Sequence, residues 1–229
     1  MPDFSKFETR IGHRFNDARL LETAFTHRSY LNENRDAARE HNERLEFLGD
    51  AVLELVVTEF LFAKYPDKPE GDLTAYRAAL VNTQSIGDAA MKLGMNDFLL
   101  LSRGESRDTG RARQIILANA FEALIGALYL DQGYVAARDF IAKQLFHKTD
   151  DVVARRLWQD AKSRFQELSQ EKLGVTPSYQ LLDQSGPDHD KTFVVGAFVG
   201  TEKIATGEGR SKQEAEQAAA EKALTAKGW

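Results

Sequence analysis

The sequence predicts two domains of different fold class, an all-α N-terminal domain followed by a small α+β domain with the order α-β-β-β-α. Up to about Leu157, apolar residues recur with a helical period and strand signals are nearly absent. Beyond Ala154, short runs of β-branched and aromatic residues are separated by Gly and Pro. The 229 residues suit one ordinary domain and one small one. We therefore place the domains at 1–150 and 160–229, with a linker at 151–159.

Five segments of the N-terminal domain carry the helical period. They predict helices over 17–33, 41–64, 70–91, 114–131 and 134–147. A polar connector separates the first two, and a turn with two prolines and a glycine separates the second from the third. The loop at 101–113 has four arginines against two acidic residues, so it is locally positive.

The C-terminal domain is predicted to begin with a helix over 160–173, which Gly174–Pro177 ends. "SYQLLD" and "TFVVGAFV" then have the composition of strands separated by the loop "QSGPDH", and a third strand is expected at 202–206. The tail "SKQEAEQAAAEKALTAK" predicts a last helix with Ser211 as its N-cap.

Composition limits the classes of function. The chain has no cysteine, which excludes a disulfide framework and thiolate metal sites and suits a reducing compartment. No apolar run approaches the length that spans a bilayer, and Met1–Arg10 lacks the pattern of a signal peptide. We therefore expect a cytoplasmic protein without membrane association. The formal net charge of −5 does not by itself indicate a nucleic-acid binder, so such a function must rest on local features.

The predicted helix at 41–64 contains "NERLEFLGDAVLELV", in which Glu43, Glu46 and Asp50 lie within about 60° of arc on a helical projection. The apolar side chains fall on the other side: Leu45, Leu48, Val52, Leu55 and Val56. Like charges on neighbouring turns repel, and only Arg44 interrupts the run. The pattern is compatible with a solvated anionic face or with a face that binds a counter-ion.

The segment "IILANAFEALIGALYLD", residues 115–131, is apolar on almost all sides, as in a buried helix. It nevertheless contains Asn119 and Glu122 on one face. A buried carboxylate needs a partner, because an unpaired charge is costly to bury. One interpretation pairs Glu122 with an arginine. The other sets Asn119 and Glu122 against Glu46 and Asp50, as a hard-oxygen site for Mg²⁺ or Mn²⁺.

"NERLEFLGDAVL" resembles the signature of the ribonuclease III family, "ILANAFEALIGALYLDQGY" its second motif, and "GDLTAYRAALVN" the segment between them. The resemblance implies a Mg²⁺-dependent endonuclease that cuts double-stranded RNA, with Mn²⁺ as a substitute. It assigns four residues to the metal site: Glu46, Asp50, Asn119 and Glu122. Of these, Asp50 and Glu122 match the catalytic residues, and Glu43 matches a supporting acidic residue.

The resemblance further implies a homodimer in which each subunit cuts one strand and leaves short 3′ overhangs. An aromatic residue at the position of Phe47 inserts into the partner subunit in such dimers. One residue departs from the family pattern, since Asn119 stands where Asp is most common. An amide oxygen can coordinate Mg²⁺ but brings no charge. Either cleavage tolerates this residue with weaker metal binding, or cleavage is crippled.

Residues 160–227 resemble a double-stranded RNA-binding domain in element order and in "AKSRFQE", "GPDHDKTF" and "GEGRSKQEAEQAAAEKAL". Such domains contact two successive minor grooves and the phosphates between them. By position, five residues match RNA-contacting places: Ser163, Gln166, His189, Arg210 and Lys212. Gln213 departs, because a second lysine is usual there, and 160–229 holds nine basic against eleven acidic residues. We therefore expect modest affinity that falls steeply with salt. Taken singly, each residue would be an ordinary solvated side chain.

The sequence thus predicts a dimeric endoribonuclease that hydrolyses double-stranded RNA to 5′-phosphate and 3′-hydroxyl ends, and that processes structured precursors of rRNA and mRNA. One alternative is a double-stranded RNA-binding protein with weak or no cleavage, because of Asn119. Another, a metal-dependent hydrolase of small phosphorylated metabolites, leaves the C-terminal domain unexplained. The arginine-bearing loop at 102–114 is expected either to touch the RNA backbone or to be an ordinary solvated loop.

Overall fold

The computed structural model of the chain describes residues 2–34, 40–154, 161–187 and 191–229. The chain forms two compact units, Met1–Trp158 and Gln159–Trp229. The described part of the first unit is helical, and the second unit combines a three-stranded sheet with two helices. The predicted fold class, an all-α domain followed by α-β-β-β-α, is therefore confirmed. Most of the predicted linker, residues 155–159, lies outside the described residues.

The described residues of the first unit form eight α-helices. They are α1 (Phe4–Ile11), α2 (Ala18–Ala24), α3 (Arg28–Glu33), α4 (Glu43–Lys64), α5 (Glu70–Val81), α6 (Thr83–Lys92), α7 (Arg111–Leu145) and α8 (Thr149–Ala154). The predicted helix at 17–33 is two helices, because His27 has extended backbone angles and its ring caps α3. The predicted helix at 70–91 likewise divides at Asn82, whose side chain accepts the Ser85 N–H at 2.8 Å.

Helix α7 is the longest element and is broken at Gly133, whose φ of 82° lies in the left-handed region that favours glycine. The break falls between the predicted helices at 114–131 and 134–147. By length and apolar composition alone, Arg111–Ala154 could cross a membrane, and no other stretch of the described residues passes that test. The most apolar window of this stretch is 61% buried inside the protein, as in a core helix.

Helices α4 and α7 form the centre of the first unit and approach each other through two glycines. A Cβ on Gly49 would overlap the carbonyl oxygen of Glu122, and a Cβ on Gly126 would overlap that of Leu45. Only residues without a side chain permit this approach of the two backbones. The crossing therefore places polar positions on neighbouring turns of the two helices side by side.

In the second unit, three antiparallel strands in the order β1-β2-β3 pack with two helices. The elements are α9 (Ala161–Leu173), β1 (Pro177–Ser185), β2 (Thr192–Val199), β3 (Glu202–Gly209) and α10 (Lys212–Lys227). Phe165 of α9 and Leu224 of α10 lie in the core of this unit. Gly207 of β3 is so close to α10 that a Cβ would overlap the amide nitrogen of Ala219. The third strand is longer than the predicted 202–206.

Candidate functional site

Four carboxylates follow one face of α4, and we call this row the acidic stripe: Glu43, Glu46, Asp50 and Glu54. In the first turns of α4, the helical projection places Glu43, Glu46 and Asp50 opposite the apolar side chains of Leu45, Leu48 and Val52. In the structure Gly49, which lies beside Glu46 and Asp50, is buried against α7. The middle of the stripe is therefore next to α7, with Glu46 half-buried and Asp50 still exposed.

Glu122 of α7 is half-buried and lies close to the acidic stripe. Burial raises the pKa of Glu122 to about 8, and the negative charges of Asp50, Glu46 and Glu54 add to the rise. These charges reach Glu122 because the two helices cross at Gly49. Glu122 and the stripe therefore lie near each other on the two helices.

Asn119 lies one helical turn before Glu122 and contacts Glu46 of the other helix. Burial raises the pKa of Glu46, the charges of Glu43 and Asp50 raise it further, and a hydrogen bond with Asn119 opposes them. The side-chain amide of Asn119 is therefore close enough to Glu46 to favour its ionised form. We call the four residues on the two facing helices the acidic cleft: Glu46, Asp50, Asn119 and Glu122.

The two ends of the acidic stripe are paired with arginines from other helices. Arg28 Nη1 of α3 lies 3.3 Å from Glu43 Oε1. Arg77 Nε of α5 lies 2.7 Å from Glu54 Oε2. No lysine, arginine or histidine in the described part of the chain forms an ion pair with the two acids between these ends, Glu46 and Asp50, or with Glu122 of α7. The arginine partner that one interpretation assigned to Glu122 is thus absent from the described residues.

The acidic cleft offers oxygen atoms, the ligands that Mg²⁺ prefers. Within the described ranges, no three His, Cys, Asp or Glu side chains are grouped closely enough to hold a metal ion. The negative charges of Asp50, Glu46 and Glu54 nevertheless act on Glu122 and contribute to its raised pKa. The assignment of the four cleft residues to a metal stays a prediction.

Phe47 points away from the core and is 83% exposed. Leu55 and Phe62, further along α4, are 57% and 74% exposed. Leu55 is therefore exposed although it falls on the apolar side of the helical projection, and the three side chains form an exposed apolar row on α4. Phe47 also lines a groove of about 670 Å³, whose apolar walls include Leu20 and Leu130.

The arginines of the loop before α7 differ in their surroundings. Arg113 is only 7% exposed. Its guanidinium donates to Asn96 Oδ1 at 2.9 Å and to the carbonyl oxygen of Glu105 at 2.7 Å. Arg113 therefore connects the start of α7 to the loop before it, whereas Arg103 and Arg107 of that loop are exposed.

The RNA-contacting residues that the resemblance assigns lie at the surface of the second unit, where they are described. Ser163 and Gln166 are exposed and one turn apart on α9. Arg210 and Lys212 are exposed at the start of α10. His189 lies outside the described residues.

Hydrogen bonds fix the start of α10 and attach it to α9. Ser211 Oγ accepts the N–H of Glu214 at 3.1 Å, and Glu214 Oε2 accepts the N–H of Arg210 at 3.0 Å. This is a variant of the capping box. Lys162 Nζ of α9 donates to Glu216 Oε2 of α10 at 2.5 Å. The two exposed pairs of residues are thus held on helices that are directly connected.

Three residues at the ends of the acidic stripe are not among the predicted site residues: Glu54 itself and the two arginines that pair with the ends, Arg28 and Arg77. Glu54 lies four positions after Asp50 within the same segment, so the helical projection could have found it. The two arginines come from other helices. No local pattern gives the register of those helices against α4.

Comparisons with known proteins agree with this architecture. A family model described as Ribonuclease-III-like matches residues 17–149, and one described as double-stranded RNA binding motif matches residues 161–226. Ribonuclease 3 of Desulforamulus reducens is 47% identical over 220 residues, covering 96% of this chain and 89% of the relative. Ribonuclease 3 of Bdellovibrio bacteriovorus is 45% identical over 221 residues, covering 96% and 94%.

A solved structure supports the same assignment for the first unit. The nuclease domain of ribonuclease III from Campylobacter jejuni aligns with a TM-score of 0.56 at 42% identity, over 62% of this chain and 98% of that one. The family model covers more than half of the chain, and the relatives match nearly all of it. This chain belongs to the ribonuclease III family.

Proposed function

We propose that this protein is a metal-dependent endonuclease that hydrolyses double-stranded RNA. The observation that carries the proposal is the acidic cleft, whose carboxylates lack a cationic partner among the described residues. The cleft lies in the unit that matches the Ribonuclease-III-like family model. Double-stranded RNA as the substrate is supported by the match of the second unit to the double-stranded RNA binding motif. Relatives named Ribonuclease 3 support the endonuclease assignment.

We propose Mg²⁺ as the cofactor, with Mn²⁺ as a substitute. The fit rests on the donor set, which is made of oxygen atoms on two facing helices, and on the pKa of about 8 for Glu122. A bound cation would displace the proton from Glu122 and offset the repulsion among the carboxylates. Glu46, Asp50, Asn119 and Glu122 would hold it. When bound there, a divalent ion supplies charge neutralisation at the scissile phosphate and activates water near neutral pH.

The residues of the acidic cleft would have different roles in hydrolysis. Asp50 and Glu122, one from each helix, would act closest to the scissile phosphate. Glu46 would be kept in place by its hydrogen bond with Asn119. Glu43, paired with Arg28, would support the cleft from its rim. Attack by water yields a 5′-phosphate and a 3′-hydroxyl and needs no 2′-hydroxyl nucleophile.

We propose that the enzyme acts as a homodimer in which each cleft cuts one strand, leaving short 3′ overhangs. The exposed apolar row on α4 supports this, because such a row on a monomer usually marks an interface. The partner subunit's Phe47 would enter the groove of about 670 Å³ that Phe47 itself helps to line. Such reciprocal use of one surface is expected for a two-fold dimer. The C. jejuni nuclease-domain structure is described as showing flexibility in a region involved in dimer formation.

The second unit would recognise the RNA duplex by the shape of its A-form helix. Ser163 and Gln166 on α9 would reach a minor groove and its 2′-hydroxyls, and His189 would reach the next one. Arg210 and Lys212 would contact phosphate at the N-terminus of α10, where the helix dipole favours an anion. We propose the processing of structured rRNA and mRNA precursors in the cytoplasm, without membrane association, as the cellular role.

A perfectly paired RNA duplex labelled on both strands tests the proposal in a gel. The expected result is cleavage of both strands with Mg²⁺ or Mn²⁺, none with EDTA, and products with 5′-phosphates. Asp50→Asn should bind the duplex without cutting it. A shifted band without products at every metal concentration would instead identify a binding protein, as the Asn119 alternative predicts. A single-stranded RNA of the same sequence, left intact, completes the control.

A further inference from the structure

Arg77 of α5 bridges two turns of α4 beside the acidic cleft. Its Nε lies 2.7 Å from Glu54 Oε2, and its Nη1 donates to Thr58 Oγ1 at 2.9 Å. Only about a third of each side chain is accessible, 33% for Arg77 and 37% for Glu54. The backbone of α5 is fixed from its other side, because Tyr76 and Leu80 are buried. The guanidinium is therefore held in place rather than free at the surface.

Glu54, like Glu43 at the other end, is a member of the acidic stripe that the acidic cleft does not include. It lies one turn beyond Asp50 on the same face of α4. Its charge acts on Glu122 together with those of Asp50 and Glu46. Glu54 is thus close enough to change the electrostatic potential of the cleft. With Arg77 bound to it, the pair as a whole is neutral.

We propose that Arg77 is a positioning residue that neutralises Glu54 and thereby sets the affinity of the acidic cleft for divalent cations. This inference rests on the proposed metal-dependent function. Without Arg77, the cleft would face a fourth carboxylate charge in addition to those of Glu46, Asp50 and Glu122. Cations would then bind more tightly, and the anionic RNA backbone would be repelled more strongly.

The direction of the effect separates this role from simple packing. A residue needed only for the shape of the cleft would weaken cation binding whenever it is changed. The charge role predicts opposite signs for the two partners. Loss of Arg77 leaves Glu54 negative and tightens cation binding, whereas loss of the Glu54 charge leaves Arg77 positive and weakens it. Removing both charges returns the pair to neutrality, so affinity should return close to the wild-type value.

The experiment measures Mn²⁺ binding to the full chain without RNA, by the loss of the free-ion signal in electron paramagnetic resonance. Arg77→Gln should lower the Kd for Mn²⁺ by roughly three- to tenfold, and Glu54→Gln should raise it by a similar factor. The double variant should lie near wild type, and Arg77→Lys should restore most of the wild-type Kd. Arg19→Gln, which removes the exposed partner of Asp17 on α2, is the charge-matched control and should change little. Thermal unfolding in EDTA confirms that each variant is folded.

Two outcomes overturn the role of Arg77: an unchanged or weaker Mn²⁺ affinity in Arg77→Gln, or a double variant that behaves like Arg77→Gln alone. Glu122→Gln distinguishes this failure from failure of the proposed function. If Glu122→Gln loses Mn²⁺ and Arg77→Gln does not change its affinity, only the Arg77 assignment is wrong. If Glu122→Gln keeps the wild-type Kd, the ion is not bound in the acidic cleft and the metal-dependent function itself is contradicted.

Discussion

The two units of this protein differ in whether the acidic side chains near their proposed sites have partners. In the second unit, two acids near the proposed RNA surface have partners within the protein. Glu216 accepts a hydrogen bond from Lys162, and Glu214 accepts one from the backbone N–H of Arg210. In the first unit, Glu46 and Glu122 are partly buried with their pKa values raised, and no described cation pairs with them. Carboxylates in this state cost folding free energy. Such a cost is characteristic of sites where a ligand later supplies the missing charge.

In the acidic cleft, therefore, stability and function oppose each other. Substitutions in the acidic cleft should remove activity and leave the fold as stable as before, or more stable. Substitutions of exposed side chains in the second unit should weaken RNA binding with little effect on stability in either direction. The following predictions test this difference, from the largest expected effect to the smallest.

The largest effect is expected from Glu122→Gln, which keeps the size of the side chain and removes its charge. Because Glu122 is a proposed ligand, cleavage of duplex RNA should fall by roughly a thousandfold or more. Steady-state cleavage at saturating RNA measures this, with binding of the duplex followed separately. Asp139→Asn, an exposed acid paired with Arg138 on α7, serves as the control and should keep full activity. Glu122→Gln with more than a tenth of wild-type activity would refute the catalytic assignment.

The crossing that forms the cleft is tested by Gly49→Ala. The added Cβ would overlap the carbonyl oxygen of Glu122, so α4 and α7 would have to separate. We expect a loss of about 3 kcal/mol or more in the free energy of unfolding. Gly71→Ala is the matched control, because a Cβ there meets nothing within 4 Å. In α5 that change should be neutral or stabilising by up to about 1 kcal/mol. Equal denaturation midpoints for the two variants would contradict the close crossing.

The stability of the metal-free protein should fall as pH rises through the range set by Glu122. Its pKa is about 8 in the folded protein against 4.5 as the ordinary value. The folded state therefore holds a proton that the unfolded state releases, and the free energy of unfolding decreases between these two pH values and is constant above them. Because the group is partly accessible, we expect a loss on the order of 1–3 kcal/mol.

Calorimetry in EDTA at pH 5 and pH 8.5 checks this prediction. Glu122→Gln removes the titrating carboxyl at position 122, so the Tm of this variant should exceed that of the wild-type protein at pH 8.5. The two Tm values should approach each other toward pH 4.5, the ordinary pKa. If the difference in Tm between wild type and Glu122→Gln were the same at pH 5 and pH 8.5, Glu122 would titrate as an ordinary surface carboxylate.

The smallest effect is expected in the second unit. Lys212→Ala removes one exposed charge at the start of α10, so duplex affinity should fall severalfold and the slope of log affinity against log salt should decrease by about one. Binding isotherms at three salt concentrations measure both quantities. Lys222→Ala, also exposed but near the other end of α10, is the control. A change in Tm of more than a few degrees would contradict the separation of binding from stability in this unit.

Much of the fold could be predicted from local sequence patterns, and the exceptions have physical causes. The two long core helices and the three strands follow from apolar periodicity. The divisions at His27 and Asn82 were missed, because capping by these residues interrupts an apolar period that continues across them. The exposure of Leu55 could not be predicted, because an apolar period alone does not distinguish an exposed apolar residue from a buried one.

For the candidate site, the sequence predicts which residues lie together on each helix but not how the helices pack against each other. The positions of Glu46 and Asp50 on α4, and of Asn119 and Glu122 on α7, follow from helical geometry. The pairing of Glu54 with Arg77 depends on how α5 packs on α4, which no local pattern specifies. The burial of Arg113 has the same explanation, since its partner Asn96 lies seventeen residues earlier.

The requirement of cleavage for a divalent ion is the most direct test of the acidic cleft. Cleavage of a perfect RNA duplex should be titrated with Mg²⁺ for the wild-type protein and for Asn119→Asp. We predict no cleavage in EDTA, and a lower Mg²⁺ concentration at half-maximal rate for Asn119→Asp, because it adds a carboxylate beside Glu46. Cleavage that persists in EDTA, or the same Mg²⁺ dependence in both proteins, would contradict the proposal that Asn119 and its neighbours hold the metal.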